Sequence, residues 1–348
     1  MNFNIGNKNI GEDSWVFIIA ELSANHNQSF EIAKKTVLEA KKVGADAIKL
    51  QTYTADTITI DCDNKNFRID GGTLWDGKTL HQLYKEAYTP WEWQPELKKI
   101  AEENGLICFS SPFDKTAVDF LEKMNVPAYK IASFEITDIP LIEYVASKKK
   151  PVIISTGIAT IQEINDAIDS CKKVGNNQVA LLKCTSSYPA PFDEVNLKTI
   201  PDMIKQFDTV VGLSDHTLGI SVPIAAVVLG AKIIEKHFIL DRNIGGPDAA
   251  FSLEPKEFKE MVKSIREVEL ALGKVTYHLS EKIKTNRHFS RSLFIVENVK
   301  AGEILSEKNV RSIRPGTGLA PKYYTEILGK TFKDDYKKGT PLSWEMFE

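Results

Sequence analysis

The chain offers little toward a disulfide framework or a structural zinc site. It has four cysteines, Cys62, Cys108, Cys171 and Cys184, and none are in CxxC spacing. A reduced, cytoplasmic setting is the expectation. Cys108 and Cys184 fall in apolar stretches and read as small core hydrophobes. No apolar run approaches the roughly 20 residues of a membrane-spanning helix. The opening "MNFNIGNKNIGEDSW" lacks the basic-then-apolar layout of a secretory signal. Charge bias is missing too. Forty-four Lys and Arg against 47 Asp and Glu leave −3, so no electrostatic footprint points to nucleic acid or an anionic membrane. No internal repeat or low-complexity tract occurs.

What is present fits a globular protein. With 348 residues and 43% hydrophobic side chains, the chain can bury one large α/β barrel, or a barrel and a small appendage. Eight short β-like runs alternate with amphipathic helical stretches. The runs cover residues 17–23, 47–53, 107–112, 128–133, 151–157, 179–185, 209–216 and 232–238. Between them, segments such as "FEIAKKTVLEAKKVGAD" repeat apolar residues at three-to-four spacing and end near glycine. This alternation implies parallel pairing and a (β/α)8 TIM barrel of about 250 residues. A doubly wound open sheet is the alternative.

Two segments break the rhythm. Residues 54–90 form a connection far longer than the usual βα loop of about 2–6 residues. In a barrel it hangs over the C-terminal face, either as a plain surface excursion or as a substrate lid carrying Phe67, Arg68, Trp75 and Tyr84. After residue 274 the pattern changes. Residues 275–290 read as a polar, basic linker, and residues 291–348 as a small turn-rich unit of short strands. A unit of about 60 residues is marginal alone. It is expected to dock on its own barrel or on a second subunit, and the basic linker suggests exchange in a homodimer.

Polar residues gather at the C-terminal ends of the runs, where barrel enzymes place their sites. "AKIIEKHFIL" puts Glu235, Lys236 and His237 inside an otherwise apolar strand. Residues two apart share a strand face. Glu235 therefore points with His237, Ser214 points with His216, and Lys236 points away to pairing or structure. Two imidazoles from neighbouring strands beside a carboxylate can hold a divalent ion with positions left open. Asp248 is a further acid near the rim. Lys49, Lys130, Ser111, Ser133, Ser155 and Ser214 suit an anion such as phosphate plus carboxylate. The structural alternative is pairing of these lysines with Glu21, Glu135 and Glu235.

The motifs "AELSANHNQ", "AIKLQTY", "FSSPFD", "AYKIAS", "ISTG", "GLSDHT", "EKHF" and "GPDAAFSLEP" occur in family order along nearly the whole chain. Together they resemble the sialic acid synthase family, whose members condense phosphoenolpyruvate with an N-acetylated sugar aldehyde. "GGTLWDGKTLHQLYKEAYTPWEW" and "FSSPFDKTAVDFLE" are most similar to the branch whose acceptor is 2,4-diacetamido-2,4,6-trideoxy-altrose.

The resemblance implies that His216 and His237 ligate a divalent ion, typically manganese, with magnesium or cobalt as alternatives. It also implies that Lys49, Lys130, Ser111, Ser133, Ser155 and Ser214 hold phosphoenolpyruvate. Glu21, Gln51, Tyr188 and Asp248 would then face the sugar or the metal. The C-terminal unit with "RPGTGL" is similar to the family's antifreeze-like (SAF) domain, and Arg314 would reach into the partner's barrel of a domain-swapped homodimer. Glu21 or Glu235 would orient a water, with Lys130 beside them. "CTSSYP" puts Ser186 where sialic acid synthases carry asparagine, which turns the acceptor away from N-acetylmannosamine. Legionaminic acid or N-acetylneuraminate synthesis, a Schiff-base aldolase using Lys130 or Lys183, and a non-catalytic sugar-binding protein are the rival readings.

Overall fold

The computed structural model describes residues 2–348. The chain divides into two units, Met1–Gly273 and Lys274–Glu348. The first begins with an antiparallel hairpin of β1 (Phe3–Ile5) and β2 (Lys8–Ile10). Gly6 turns it at a φ of 58°, a conformation that favours a residue without Cβ.

Eight parallel strands follow: β3 (Phe17–Glu21), β4 (Ala47–Thr52), β5 (Ile107–Pro112), β6 (Tyr129–Ile131), β7 (Val152–Ser155), β8 (Val179–Cys184), β9 (Val210–Asp215) and β10 (Ile233–His237). They close in sequence order, with β10 pairing β3. The expected (β/α)8 barrel is the observed one, with several strands trimmed at their ends. Each strand is buried on both faces, as a parallel sheet under helices requires. The helices start where short polar side chains can accept orphan N–H groups. Ser29 caps Phe30–Lys42, Asp114 caps Lys115–Lys123, and Thr160 with Glu163 forms a capping box on Ile161–Lys173. Among the described residues no helix is long and apolar enough to cross a membrane.

The excursion over residues 54–90 is ordered from within. It carries helices Ala55–Ile58 and Leu80–Ala87. Asp76 accepts hydrogen bonds from Gly72 N, Thr73 N and Thr73 Oγ1, each at 2.8 Å. Arg68, one of the expected lid residues, instead pairs with Asp63 at 2.9 Å on the exposed side.

The second unit packs Leu293, Ile295, Val299, Leu305, Val310, Phe332 and Leu342 into its own core. Its strands β11 (Ser292–Ile295) and β12 (Val310–Ile313) pair antiparallel. The stretch expected as a linker carries a helix, Glu281–Asn286, which Ser280 caps.

Candidate functional site

The C-terminal ends of the barrel strands bring the predicted polar residues together in two tiers. The lower tier is a buried charge cluster. Lys49 Nζ lies 2.5 Å from Glu21 Oε2 and 3.8 Å from Glu235 Oε2. Lys130 Nζ lies 3.8 Å from Glu235 Oε1 and donates to Ser155 Oγ at 2.7 Å. Ser214 Oγ donates to Glu235 Oε1 at 2.9 Å, Lys49 Nζ to Ser111 Oγ at 3.3 Å, and Gln51 Nε2 to Glu21 Oε1 at 3.2 Å. Ser186 Oγ donates to Ser133 Oγ at 2.8 Å. Register explains the meeting. Lys49 pairs Glu21 across β3 and β4, and Ser214 pairs Glu235 across β9 and β10, so each pair shares a face.

The cluster splits its two carboxylates. Burial pushes Glu21 up to about 7 against the pull of Lys49. Burial also acts to raise Glu235, but Lys130 and Lys49 outweigh it and hold that carboxyl below its ordinary value. Burial depresses Lys130, whereas at Lys49 the carboxylates of Glu21 and Glu235 overcome burial and raise it. One carboxyl thus exchanges protons near neutral pH while the other stays ionised. Glu235 Oε2 is buried and accepts no hydrogen bond.

In the upper tier His216 and His237 lie two residues beyond Ser214 and Glu235, roughly 6.6 Å at the usual strand rise. The His216 and His237 rings are 5.3 Å apart between centroids. His216 Nδ1 faces Thr185 O at 3.1 Å, which leaves Nε2 with the free lone pair. His237 Nδ1 is buried without a hydrogen bond, 3.7 Å from Asp248 Oδ2. Burial, then the nearby His216, hold His237 well below its ordinary pKa, in the neutral form. Ser23 Oγ donates to Asp248 Oδ2. Tyr188 and Phe251 flank the pair, with ring centroids 4.5 Å from His216 and 4.9 Å from His237 respectively. Two imidazoles, one with an orphaned nitrogen, and a carboxylate behind them fit a divalent ion bound with open positions. Among the described residues, no three His, Cys, Asp or Glu side chains already converge as a cage.

Some residues fall elsewhere. Lys236 is fully buried on the opposite face, 2.5 Å from Asp215 Oδ2. Lys183 has the parity opposite to Cys184 and donates to Cys184 O at 2.7 Å, outside the charge cluster. Arg314 follows β12 in the second unit and is exposed there. Cys184 is not a plain core hydrophobe. Its Sγ lies 3.9 Å from His216 Nδ1 and 3.8 Å from Ser186 Oγ. Parity was the available signal, since Cys184 pairs Ser214 in register. Phe251 was missed because its loop carries no periodicity. A surface recess beside Lys8, Trp15 and Arg266 opens at the strands' N-terminal end, away from these groups.

Fold and site place the chain among (β/α)8-barrel proteins that gather ionisable groups at the C-terminal mouth. Residues 36–277 match the model of the NeuB family and residues 290–348 that of the SAF domain. The chain belongs to the NeuB family. It is similar to the pseudaminic acid synthase of Campylobacter jejuni, with 48% identity over 340 residues, 98% of this chain and 99% of that one. It is likewise similar to the pseudaminic acid synthase of Helicobacter pylori, with 46% identity over 332 residues, 95% and 97% of the two chains. The solved N-acetylneuraminic acid synthetase of Leptospira borgpetersenii, in complex with citrate, matches with a TM-score of 0.74 at 32% identity. That match covers 82% of this chain and 95% of that chain.

Proposed function

We propose that this chain condenses phosphoenolpyruvate with 2,4-diacetamido-2,4,6-trideoxy-altrose, giving pseudaminic acid and phosphate. The carrying observation is the tiering of the mouth. A buried cationic, hydroxyl-rich cluster surrounds Ser214 and Glu235, and a histidine pair stands two residues beyond these two along the chain. Phosphoenolpyruvate supplies the anion for the lower tier and an aldehyde oxygen the partner for the upper. The two pseudaminic acid synthases at 46–48% identity support the choice of acceptor.

In this reading Lys49, Lys130, Ser111, Ser133, Ser155 and Ser214 clamp the phosphate and carboxylate and fix the enol against the aldehyde. Gln51, Ser186, Tyr188 and Asp248 position the sugar. His216 and His237 would hold a divalent ion, which when bound would supply Lewis acidity toward the aldehyde oxygen. Manganese is the expected ion, with magnesium and cobalt as alternatives. Carbon 3 of phosphoenolpyruvate bonds to the aldehyde carbon, and positive charge develops at carbon 2. Ionised Glu235, whose Oε2 accepts no hydrogen bond, stabilises that charge. Glu21, held near 7 by burial, takes a proton from the water that adds at carbon 2, and a proton is returned to the former aldehyde oxygen. The bond from carbon 2 to the phosphate oxygen then breaks, the remaining hydroxyl proton leaves with phosphate, and carbon 2 becomes the ketone. The C-terminal SAF unit brings Arg314 to an N-acyl group of the acceptor in a domain-swapped homodimer. Such a synthase works in the cytoplasm, where phosphoenolpyruvate is made.

The test is phosphate release from phosphoenolpyruvate by metal-stripped protein, with manganese added back. Three acceptors are compared: the diacetamido-trideoxy-altrose, N-acetylmannosamine, and the diacetamido sugar leading to legionaminic acid. Manganese-dependent release with the altrose alone is expected. Release with another sugar keeps the chemistry and overturns the acceptor. A borohydride-trapped pyruvate adduct on Lys130, formed without metal, overturns the mechanism in favour of the aldolase.

A further inference from the structure

The excursion over residues 54–90 reaches the mouth of the barrel through one side chain. Trp75 is half-buried, and its Nε1 donates to Pro247 O at 3.0 Å, next to Asp248. Its ring lies 5.6 Å from Tyr188, whose own ring is 4.5 Å from His216 and 5.2 Å from Phe251. Trp75, Tyr188 and Phe251 therefore form a continuous aromatic wall that begins at the histidine pair and ends at the tip of the excursion. The tip is built to stay there. Asp76 locks the turn of residues 72–76, and across it Ile69 N donates to Lys78 O and Gly77 N to Ile69 O. Leu74, Trp75 and Lys78 face Gly246, Pro247 and Ala250 across a shallow recess.

We infer that Trp75 is a specificity-determining residue: with Tyr188 it makes the apolar wall against which the 6-deoxy end of the acceptor packs, so that a 6-hydroxyl is disfavoured. This rests on the proposed condensation reaction. An aldehyde group anchored at the histidines directs the other end of an open hexose chain outward along the wall, toward Trp75. The indole nitrogen is already used by Pro247 O. The ring edge and face left for the ligand are thus apolar, and a methyl group suits them. A hydroxymethyl group there gives up water without finding a partner. An apolar pocket of this kind rejects an added hydroxyl by about a hundredfold.

The experiment measures kcat/KM for phosphate release with two acceptors, the diacetamido-trideoxy-altrose and its 6-hydroxy counterpart. Wild-type protein, Trp75→Ala and Trp75→Phe are compared. Wild type is expected to favour the 6-deoxy sugar by about a hundredfold. Trp75→Ala lowers that ratio to below about tenfold, chiefly through the acceptor KM, and leaves the KM for phosphoenolpyruvate unchanged. Trp75→Phe keeps the apolar wall but not the Pro247 hydrogen bond, and retains the ratio within about threefold. A ratio unchanged in Trp75→Ala, with wild type active, overturns the role of Trp75 alone. Collapse in Trp75→Phe as well as in Trp75→Ala overturns the wall in favour of a latch. No turnover of either sugar by wild type overturns the proposed reaction, and this inference with it.

Discussion

Lys236 gives the sharpest stability prediction. Its side chain is 0% exposed and that of Asp215 is 2% exposed. Lys236 Nζ donates to Asp215 Oδ2 at 2.5 Å and also to Thr217 O. Asp215 Oδ1 in turn accepts from Thr217 N at 3.0 Å and Thr217 Oγ1 at 2.9 Å. The pair joins β9 to β10 beneath the helices, one residue from each candidate histidine. Lys236→Met strands a buried carboxylate, which costs about 3–5 kcal/mol. Asp215→Asn strands a buried ammonium at similar cost. In the double variant neither charge remains, and about 2 kcal/mol of the summed loss is expected to return as coupling. Guanidinium chloride unfolding of the four proteins, compared at equal m, measures this. A loss under about 1 kcal/mol in Lys236→Met, or additive losses in the double variant, refutes the argument that the ions stabilise each other.

Two further predictions concern other sites. His26 is buried, with Nδ1 accepting from Gln28 N at 3.2 Å and Nε2 lying 3.1 Å from Thr89 Oγ1, and burial lowers its pKa to about 4. The unfolded chain takes up this proton near 6.5 and the folded chain only near 4. Stability is therefore full above pH 6.5 and falls by up to about 3 kcal/mol as pH drops to 4; His26→Gln flattens that part of the stability–pH curve, and equal slopes in both proteins contradict the assignment. At Gly157 an added Cβ meets Ser186 Oγ at 2.2 Å, Ser133 Oγ at 2.7 Å and Cys184 Sγ at 3.1 Å. Gly157→Ala is expected to raise the KM for phosphoenolpyruvate at least about tenfold by displacing Ser133 Oγ, and an unchanged KM in steady-state kinetics removes Ser133 from the anion clamp.

The barrel was legible because parallel strands under helices must be apolar on both faces, so Glu235 and His237 stood out as exceptions within β10. Strand parity then sorted Lys236 to one side and the histidines to the other, as observed. The hairpin of β1 and β2 was not legible, since three-residue strands are too short to display a period. The partner of Trp75 could not be read either. Its hydrogen bond to Pro247 spans 172 positions, and no local pattern encodes such a meeting. The split between Glu21 and Glu235 depends on how many lysines approach each carboxylate, which register decides and composition does not.

The two tiers and the aromatic wall divide labour between parts of the chain that can change independently. Lys49, Lys130, Ser155, Ser214 and His237 stand on strands whose spacing the closed barrel fixes, whereas Trp75, Pro247 and Phe251 stand on two connections outside it. A lineage, or an engineer, can rewrite those connections to admit a new sugar while the bond-forming apparatus is inherited intact. Changing the reaction itself means altering strands on which every neighbouring strand depends.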